Sequence, residues 1–220
     1  MKALDTEKIR NYKLFLMNNC VTAWADHLYF VAEAVRHFEP QVIVDLGVDE
    51  GYSSFAFATH NVGKVYGIDS FAGDEHIGDK STYDKVLSIY DKVRTDFDVD
   101  NIEFIKGYFS DVAKNWDKKI DFIHIDGLHT FDAVSEDFNT WSPFCSFNTV
   151  YFFHDVMSFP FTVGRFFEGL EGFKFVRPQS NGLGIYSQNY AIINALKNIS
   201  EIVFFIPSKW NINIILEKSS

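Results

Sequence analysis

The sequence predicts an α/β fold: doubly wound, with a mostly parallel, Rossmann-like seven-stranded sheet and a C-terminal antiparallel strand pair. Three observations predict it. Five short apolar runs lack polar alternation: Val42 to Leu46, Lys64 to Ile68, Ile102 to Ile105, Ile120 to Ile125 and Val150 to Phe153. Such runs suit strands buried on both faces, as in a parallel sheet. Helix-like or polar stretches separate them, the alternation expected of crossover connections. Finally, Phe173-Lys-Phe-Val176 and Gly182-Leu-Gly-Ile-Tyr186 flank Pro178-Gln-Ser-Asn-Gly, which is hairpin punctuation.

Upstream of the sheet, residues from about Thr6 to Asn18 and from about Val21 to His37 have helical character. Val31, Ala34 and Val35 fall at helical spacing, and Pro40 breaks the pattern. Beyond about Asn189 an extra helix and an apolar segment are expected. With no repeat, low-complexity stretch or Pro/Gly/Ser-rich linker, the expected organisation is one domain over 1–220. It comprises N-terminal helices (1–38), a cofactor and catalytic core (39–188) and an extension (189–220), with a module of a longer polypeptide as the alternative.

At 220 residues and 47% hydrophobic, the chain can bury a full-sized core, and 24 phenylalanines make that core aromatic. A formal net charge of -10 argues against a nucleic-acid partner but is compatible with a small polar substrate. The two cysteines, Cys20 and Cys145, are too few for a disulfide framework and fit a reducing compartment. The N-terminus lacks an apolar signal core, and no apolar run is long enough to span a bilayer. Ile202 to Pro207 is too short and contains proline. A cytoplasmic location is expected.

The first strand runs into Asp45-Leu-Gly47-Val-Asp-Glu-Gly51-Tyr-Ser-Ser. Glycines let such a turn fold sharply and approach a ligand closely. The spacing lacks the middle glycine of a dinucleotide site, and Asp45, Asp49 and Glu50 surround it. That suits a cationic ligand better than a phosphate, and S-adenosylmethionine carries both an ammonium and a sulfonium. About twenty residues on, the second strand ends in Asp69, placed to bond ribose hydroxyls. Ser70 follows it, and Ser110, in Lys106-Gly-Tyr-Phe-Ser110-Asp111, follows the third strand at the adenine end.

The fourth and fifth strands end in Asp126-Gly-Leu-His129 and His154-Asp155. Ligands of open α/β sheets sit beyond the carboxyl ends of the strands, so these four side chains should share one crevice. They suffice for a divalent metal and a general base. His124, inside the fourth strand, reads as a satisfied core histidine, Asp137 as a charge on a helix surface, and His76 as part of a solvated polar loop, with a lid over the cofactor as the alternative.

These motifs resemble the class I S-adenosylmethionine-dependent methyltransferases, and more narrowly their metal-dependent branch of sugar O-methyltransferases and cephalosporin-hydroxylase-like proteins. The resemblance covers roughly Glu39 to Ser187 and is most specific in Ile123-His-Ile-Asp-Gly-Leu-His-Thr-Phe-Asp-Ala-Val-Ser-Glu-Asp137 and Phe153-His-Asp155. It implies an O-methyltransferase that uses S-adenosylmethionine and a divalent metal, Mg²⁺ or Mn²⁺, on a sugar hydroxyl of a glycan or glycosylated metabolite. It also implies metal ligation by Asp126 and Asp155 and proton abstraction by His129. Glycosyltransferases, fused or associated, and a second copy of the chain are the expected protein partners. The family often has two consecutive acids where this chain has His154-Asp155. Either the imidazole enters the metal shell and favours a transition ion, or fewer protein ligands leave more waters, as on Mg²⁺, or metal dependence is lost. The substituted acid also motivates an alternative, a non-catalytic carbohydrate-binding or scaffold module on the same fold; a nicotinamide oxidoreductase is a more distant one.

Overall fold

A computed structural model describes residues 6–74, 78–79 and 81–204. His76 lies outside the described residues, as does the apolar segment beyond residue 204.

Seven strands form one sheet: β1 (Val42–Leu46), β2 (Lys64–Asp69), β3 (Ile102–Lys106), β4 (Ile120–Ile125), β5 (Cys145–Phe153), β6 (Phe173–Arg177) and β7 (Leu183–Ser187). Their order is β3-β2-β1-β4-β5-β7-β6. The first five are parallel; β7 runs antiparallel to β5, and β6 antiparallel to β7. The expected fold is therefore the observed one. The order reverses between β1 and β4, so a crevice opens at their carboxyl ends, where such sheets take their ligands.

The strands are apolar on both faces because each face is covered. Ile43, Phe122 and Phe152 belong to one core with helices α1 (Thr6–Asn19), α2 (Leu28–Phe38) and α3 (Tyr52–Phe57). The alternate residues Val44, Leu46, Ile123, Ile125, Tyr151 and Phe153 belong to a second core with α6 (Phe131–Trp141) and α7 (Arg165–Gly169). Two further helices, α4 (Tyr83–Phe97) and α5 (Phe109–Ala113), bracket β3, and α8 (Tyr190–Phe204) packs against α2 and β6. Each large apolar side chain fully buried here contributes about 1.5–3 kcal/mol. No helix among the described residues is long and apolar enough to cross a membrane.

One expected element is different. Residues 21–24 are not helical; a 3-10 turn at Ala25–His27 precedes α2. Thr22 Oγ1 accepts from the Trp24 amide at 2.8 Å, a side-chain turn that competes with helix, and the Val21 amide donates to the Glu50 carboxylate at 2.6 Å. Tertiary bonding to the glycine turn thus overrides the local helical pattern and leaves Val21 to Trp24 as a strap that lines the crevice.

Candidate active site

Beyond β1 the chain turns through Gly47 (φ 96) and Gly51 (φ 93), conformations that side chains rarely adopt. Beneath the turn, Asp45 is fully buried. One of its oxygens accepts from the hydroxyls of Ser53 and Ser54, and the other accepts from His124 Nδ1 at 2.7 Å. Trp24 Nε1 donates to His124 Nε2 at 3.2 Å, which fixes the ring as the Nδ1–H tautomer. His124 is thus the satisfied core histidine expected of it, and Asp45 supports the turn from below.

At the end of β2, Asp69 Oδ2 accepts from the amides of Val48 (2.8 Å) and Asp49 (2.9 Å), and Oδ1 from the amide of Phe71 (2.7 Å). The carboxylate clasps the glycine turn and starts the next loop.

The four strand-end side chains meet. Asp126 Oδ1 lies 3.3 Å from His129 Nε2, and its Oδ2 lies 3.3 Å from His154 Nδ1. Asp155 Oδ2 lies 3.0 Å from His129 Nε2 and 3.1 Å from His154 Nδ1. Thr130 caps α6 by accepting from the Ala133 amide, which fixes the residue just before it, His129. The His129 ring stacks on Phe159, with centroids 4.4 Å apart and planes 15° apart. Asp155 has φ 62, a left-handed backbone that costs a non-glycine residue about 1 kcal/mol or more and recurs at functional sites.

Burial by itself would raise the Asp126 carboxyl, but His154 and His129 beside it reverse the sign and hold it well below the carboxylate range. Burial likewise opposes the shift at Asp155, which bonds from His129 and His154 bring down to about 2. Burial would lower both imidazoles; the two carboxylates instead raise His129 to about 9 and His154 to about 10. In the absence of a cation, protons on these rings neutralise the carboxylates. Asp137, expected on a solvated helix surface, is half-buried behind Gly127, and burial followed by the Glu136 charge pushes its carboxyl up to about 7.

The donor set fits a divalent cation. One oxygen each from Asp126 and Asp155 and one nitrogen of His154 lie within 4.8 Å of one another. The other Asp155 oxygen, Oδ1, is buried and has no hydrogen-bond partner among the described residues. Two carboxylates and an imidazole match the hard and borderline ligands that divalent ions use.

The glycine turn and the strand-end cluster open into one cavity of about 660 Å³. Gly47, Gly51's neighbours Glu50 and Tyr52, Asp69 and Ser70 line one side, and Asp126, His129, His154 and Asp155 the other. Asp45 and Ser110 are not on its surface: Asp45 is under the floor, and Ser110 is exposed beyond the wall made by Gly107, Tyr108 and Phe109. The strap residues Val21 to Trp24 also line it, as does Phe71. Sequence reasoning missed these, along with Phe159; the β-branched pair Val21-Thr22 was the one local signal against a continuous helix.

Solved structures with this fold include an S-adenosylhomocysteine-bound methyltransferase of Podospora anserina. It is 13% identical, with TM-score 0.57 over 86% of this chain and 90% of that one. An O-methyltransferase of Bacillus cereus, in complex with S-adenosylhomocysteine, is 15% identical with TM-score 0.58, over 84% of this chain and 91% of that one. An O-methyltransferase of Streptomyces achromogenes involved in tomaymycin synthesis, in complex with S-adenosylmethionine, is 15% identical with TM-score 0.56, over 86% and 93%. In sequence, an uncharacterized protein of Sinorhizobium fredii is 28% identical over 179 residues, 74% of this chain but 19% of its own length. The chain therefore spans about a fifth of that relative. A family model described as a methyltransferase domain matches residues 44–156, from β1 through the His154-Asp155 strand end and just over half of the chain. By that match the chain belongs to the methyltransferase domain family.

Proposed function

We propose that this methyltransferase domain transfers a methyl group from S-adenosylmethionine to a hydroxyl oxygen of a sugar, assisted by a divalent cation. The observation that carries the reading is the single cavity shared by the Gly47–Gly51 turn and the Asp126, His129, His154 and Asp155 cluster. The turn, Asp69 and Ser70 bind the cofactor, with Asp45 holding the turn in shape from beneath. S-adenosylmethionine supplies a methyl on a sulfonium, so the new O–C bond forms as the C–S bond breaks and a neutral thioether leaves. Asp126, Asp155 and His154 would hold the cation, which would supply Lewis-acid chemistry there, lowering the pKa of the acceptor hydroxyl.

His129 Nε2 accepts the hydroxyl proton as the oxygen becomes the nucleophile. Phe159 fixes the plane of that ring by stacking, and Phe71, Phe109 and Leu128 supply apolar lining that limits water. Closeness and alignment of acceptor and methyl carry much of the rate enhancement in such a displacement. The sugar acceptor rests on the resemblance of the Ile123 to Asp137 segment, and an acidic chain suits a neutral saccharide better than a polyanion. Association with glycosyltransferases rests on the same resemblance.

Isothermal titration with S-adenosylhomocysteine, before and after EDTA, tests the cofactor. Binding in both samples is expected, because the side chains that hold the cation, Asp126, His154 and Asp155, are not those that hold the cofactor. Methyl transfer from labelled S-adenosylmethionine to a panel of free and nucleotide-linked sugars, with and without Mn²⁺ or Mg²⁺, tests the reaction. Absence of cofactor binding in every sample sinks the proposal.

A further inference from the structure

His154 is the imidazole in a candidate cation set otherwise made of the carboxylates of Asp126 and Asp155, and its surroundings fix which nitrogen it offers. Its Nε2 lies 2.9 Å from the carbonyl oxygen of Ser180. A carbonyl only accepts, so Nε2 carries the hydrogen. Nδ1 is then the atom that faces Asp126 Oδ2 at 3.3 Å and Asp155 Oδ2 at 3.1 Å. A lone pair facing two carboxylate oxygens requires a positive species among them, either a proton or a metal ion.

Ser180 is itself held. It lies in the β6–β7 turn, where Ser180 (φ 44), Asn181 (φ 70) and Gly182 (φ 88) are consecutive left-handed residues. The amides of Met157 and Ser158, just after the cluster, donate to the Asn181 carbonyl at 3.1 and 3.2 Å. On the other side, Ser180 Oγ donates to Asp26 Oδ2 at 3.0 Å and accepts from the Asp26 amide at 3.4 Å. His27 Nε2 donates to the same Ser180 carbonyl at 3.3 Å. The N-terminal turn Ala25–His27 thus pins the hairpin turn, and the hairpin turn pins the tautomer of His154.

We infer that Asp26 and Ser180 form a clamp that presents His154 Nδ1 as a metal ligand, and that the centre consequently selects a transition ion such as Mn²⁺ or Co²⁺ over Mg²⁺. Imidazole suits first-row transition ions, whereas Mg²⁺ prefers an all-oxygen octahedron. A metal-bound histidine that donates its second N–H to a backbone carbonyl is the arrangement that fixes ring orientation and raises ligand strength. Asp26 and Ser180 are positioning residues, because neither reaches the cation. The inference rests on the cation site of the proposed function but not on methyl transfer.

Its test is cation binding by the chain itself, followed by calorimetry and by electron spin-echo spectroscopy of bound Mn²⁺. The wild-type protein should bind Mn²⁺ at least about tenfold more tightly than Mg²⁺ and show directly bound ¹⁴N. His154→Gln should lose that nitrogen signal. Asp26→Ala should weaken Mn²⁺ by about ten- to a hundredfold, and Asp26→Asn, which keeps an acceptor for Ser180 Oγ, should restore it. Ser180→Ala, which cuts the same tether from the other end, should match Asp26→Ala. Equal affinity for the two ions, bound Mn²⁺ with no nitrogen coupling, or Asp26→Ala and Ser180→Ala binding like wild type would each overturn the inference. S-adenosylhomocysteine titration of the same samples separates the two readings. Cofactor binding without Mn²⁺ selectivity overturns the clamp alone, and a nitrogen-bound Mn²⁺ without cofactor binding supports the clamp and overturns the methyltransferase reading.

Discussion

Gly47 and Asp126 meet backbone to backbone: a Cβ on Gly47 would stand 2.0 Å from the Asp126 carbonyl oxygen. The turn that follows β1 and the strand end that carries the cation ligand are therefore locked in one arrangement. Gly47 also has φ 96, so any side chain is both clashing and strained. Gly47→Ala should push the end of β4 away from the turn, lower the melting temperature and weaken S-adenosylhomocysteine together with Mn²⁺. Calorimetric titration of both ligands checks this; loss of one with the other intact would show that the two halves of the cavity are independent.

Asp69 tests the turn from its other side. Its carboxylate accepts from the amides of Val48, Asp49 and Phe71, so removing it leaves three backbone donors without their partner. Each such bond to a charged group is worth about 1.5–3 kcal/mol. Asp69→Ala should cost more than about tenfold in S-adenosylhomocysteine affinity. Asp69→Asn, which keeps one acceptor oxygen, should fall between it and wild type. An alanine variant that binds like wild type would show that Asp69 neither shapes the turn nor touches the ligand.

Much of this was legible in the sequence because strand ends are legible. Apolar runs without alternation predict buried parallel strands, and the rule that ligands gather at their carboxyl ends brings Asp126, His129, His154 and Asp155 together before any coordinate is known. Roles set by burial were less legible. Asp45 and Asp69 are both strand-end carboxylates beside one glycine turn, yet Asp45 lies under the floor on Ser53, Ser54 and His124, whereas Asp69 reaches the cavity. The strap at Val21 to Trp24 has a helical pattern in the sequence, which carries no trace of its bonding partner because Glu50 is far along the chain. Ser180 was legible as part of a turn but not as a partner of His154, since what it contributes there is a backbone carbonyl that every residue has.

His129 should change its proton affinity when the cluster changes charge. Without a cation, burial is outweighed by Asp126 and Asp155, and the ring is held at about 9. It is then protonated at neutral pH and cannot accept a proton. Neutralising the two carboxylates with Mg²⁺ should bring its pKa down toward the ordinary imidazole range and make it a competent base. Histidine NMR titration with and without Mg²⁺ measures the shift, and a pKa unmoved by saturating cation would remove His129 from the role. His129→Ala should lower kcat by about two to four orders of magnitude while leaving S-adenosylhomocysteine affinity unchanged.

The same charges set the pH dependence of stability in the cation-free protein. His129 and His154 are raised from 6.5 to about 9 and about 10, so their contribution is complete below pH 6.5 and is lost as pH rises through 9 to 10. Asp155 is lowered from 3.8 to about 2, so its contribution is complete above pH 3.8 and is lost as pH falls through 2. The EDTA-treated protein should therefore melt at progressively lower temperature from pH 6.5 to about pH 10. His154→Gln removes one of the protons responsible and should flatten that decline, which separates the cluster from tyrosine and lysine titration elsewhere. Mn²⁺ should reverse the trend, because proton and cation compete for His154 and cation binding tightens as the ring deprotonates. Thermal melts of wild type and His154→Gln, each with EDTA and with Mn²⁺, decide it. Identical slopes in all four would mean that the imidazoles are not the counter-charges of Asp126 and Asp155.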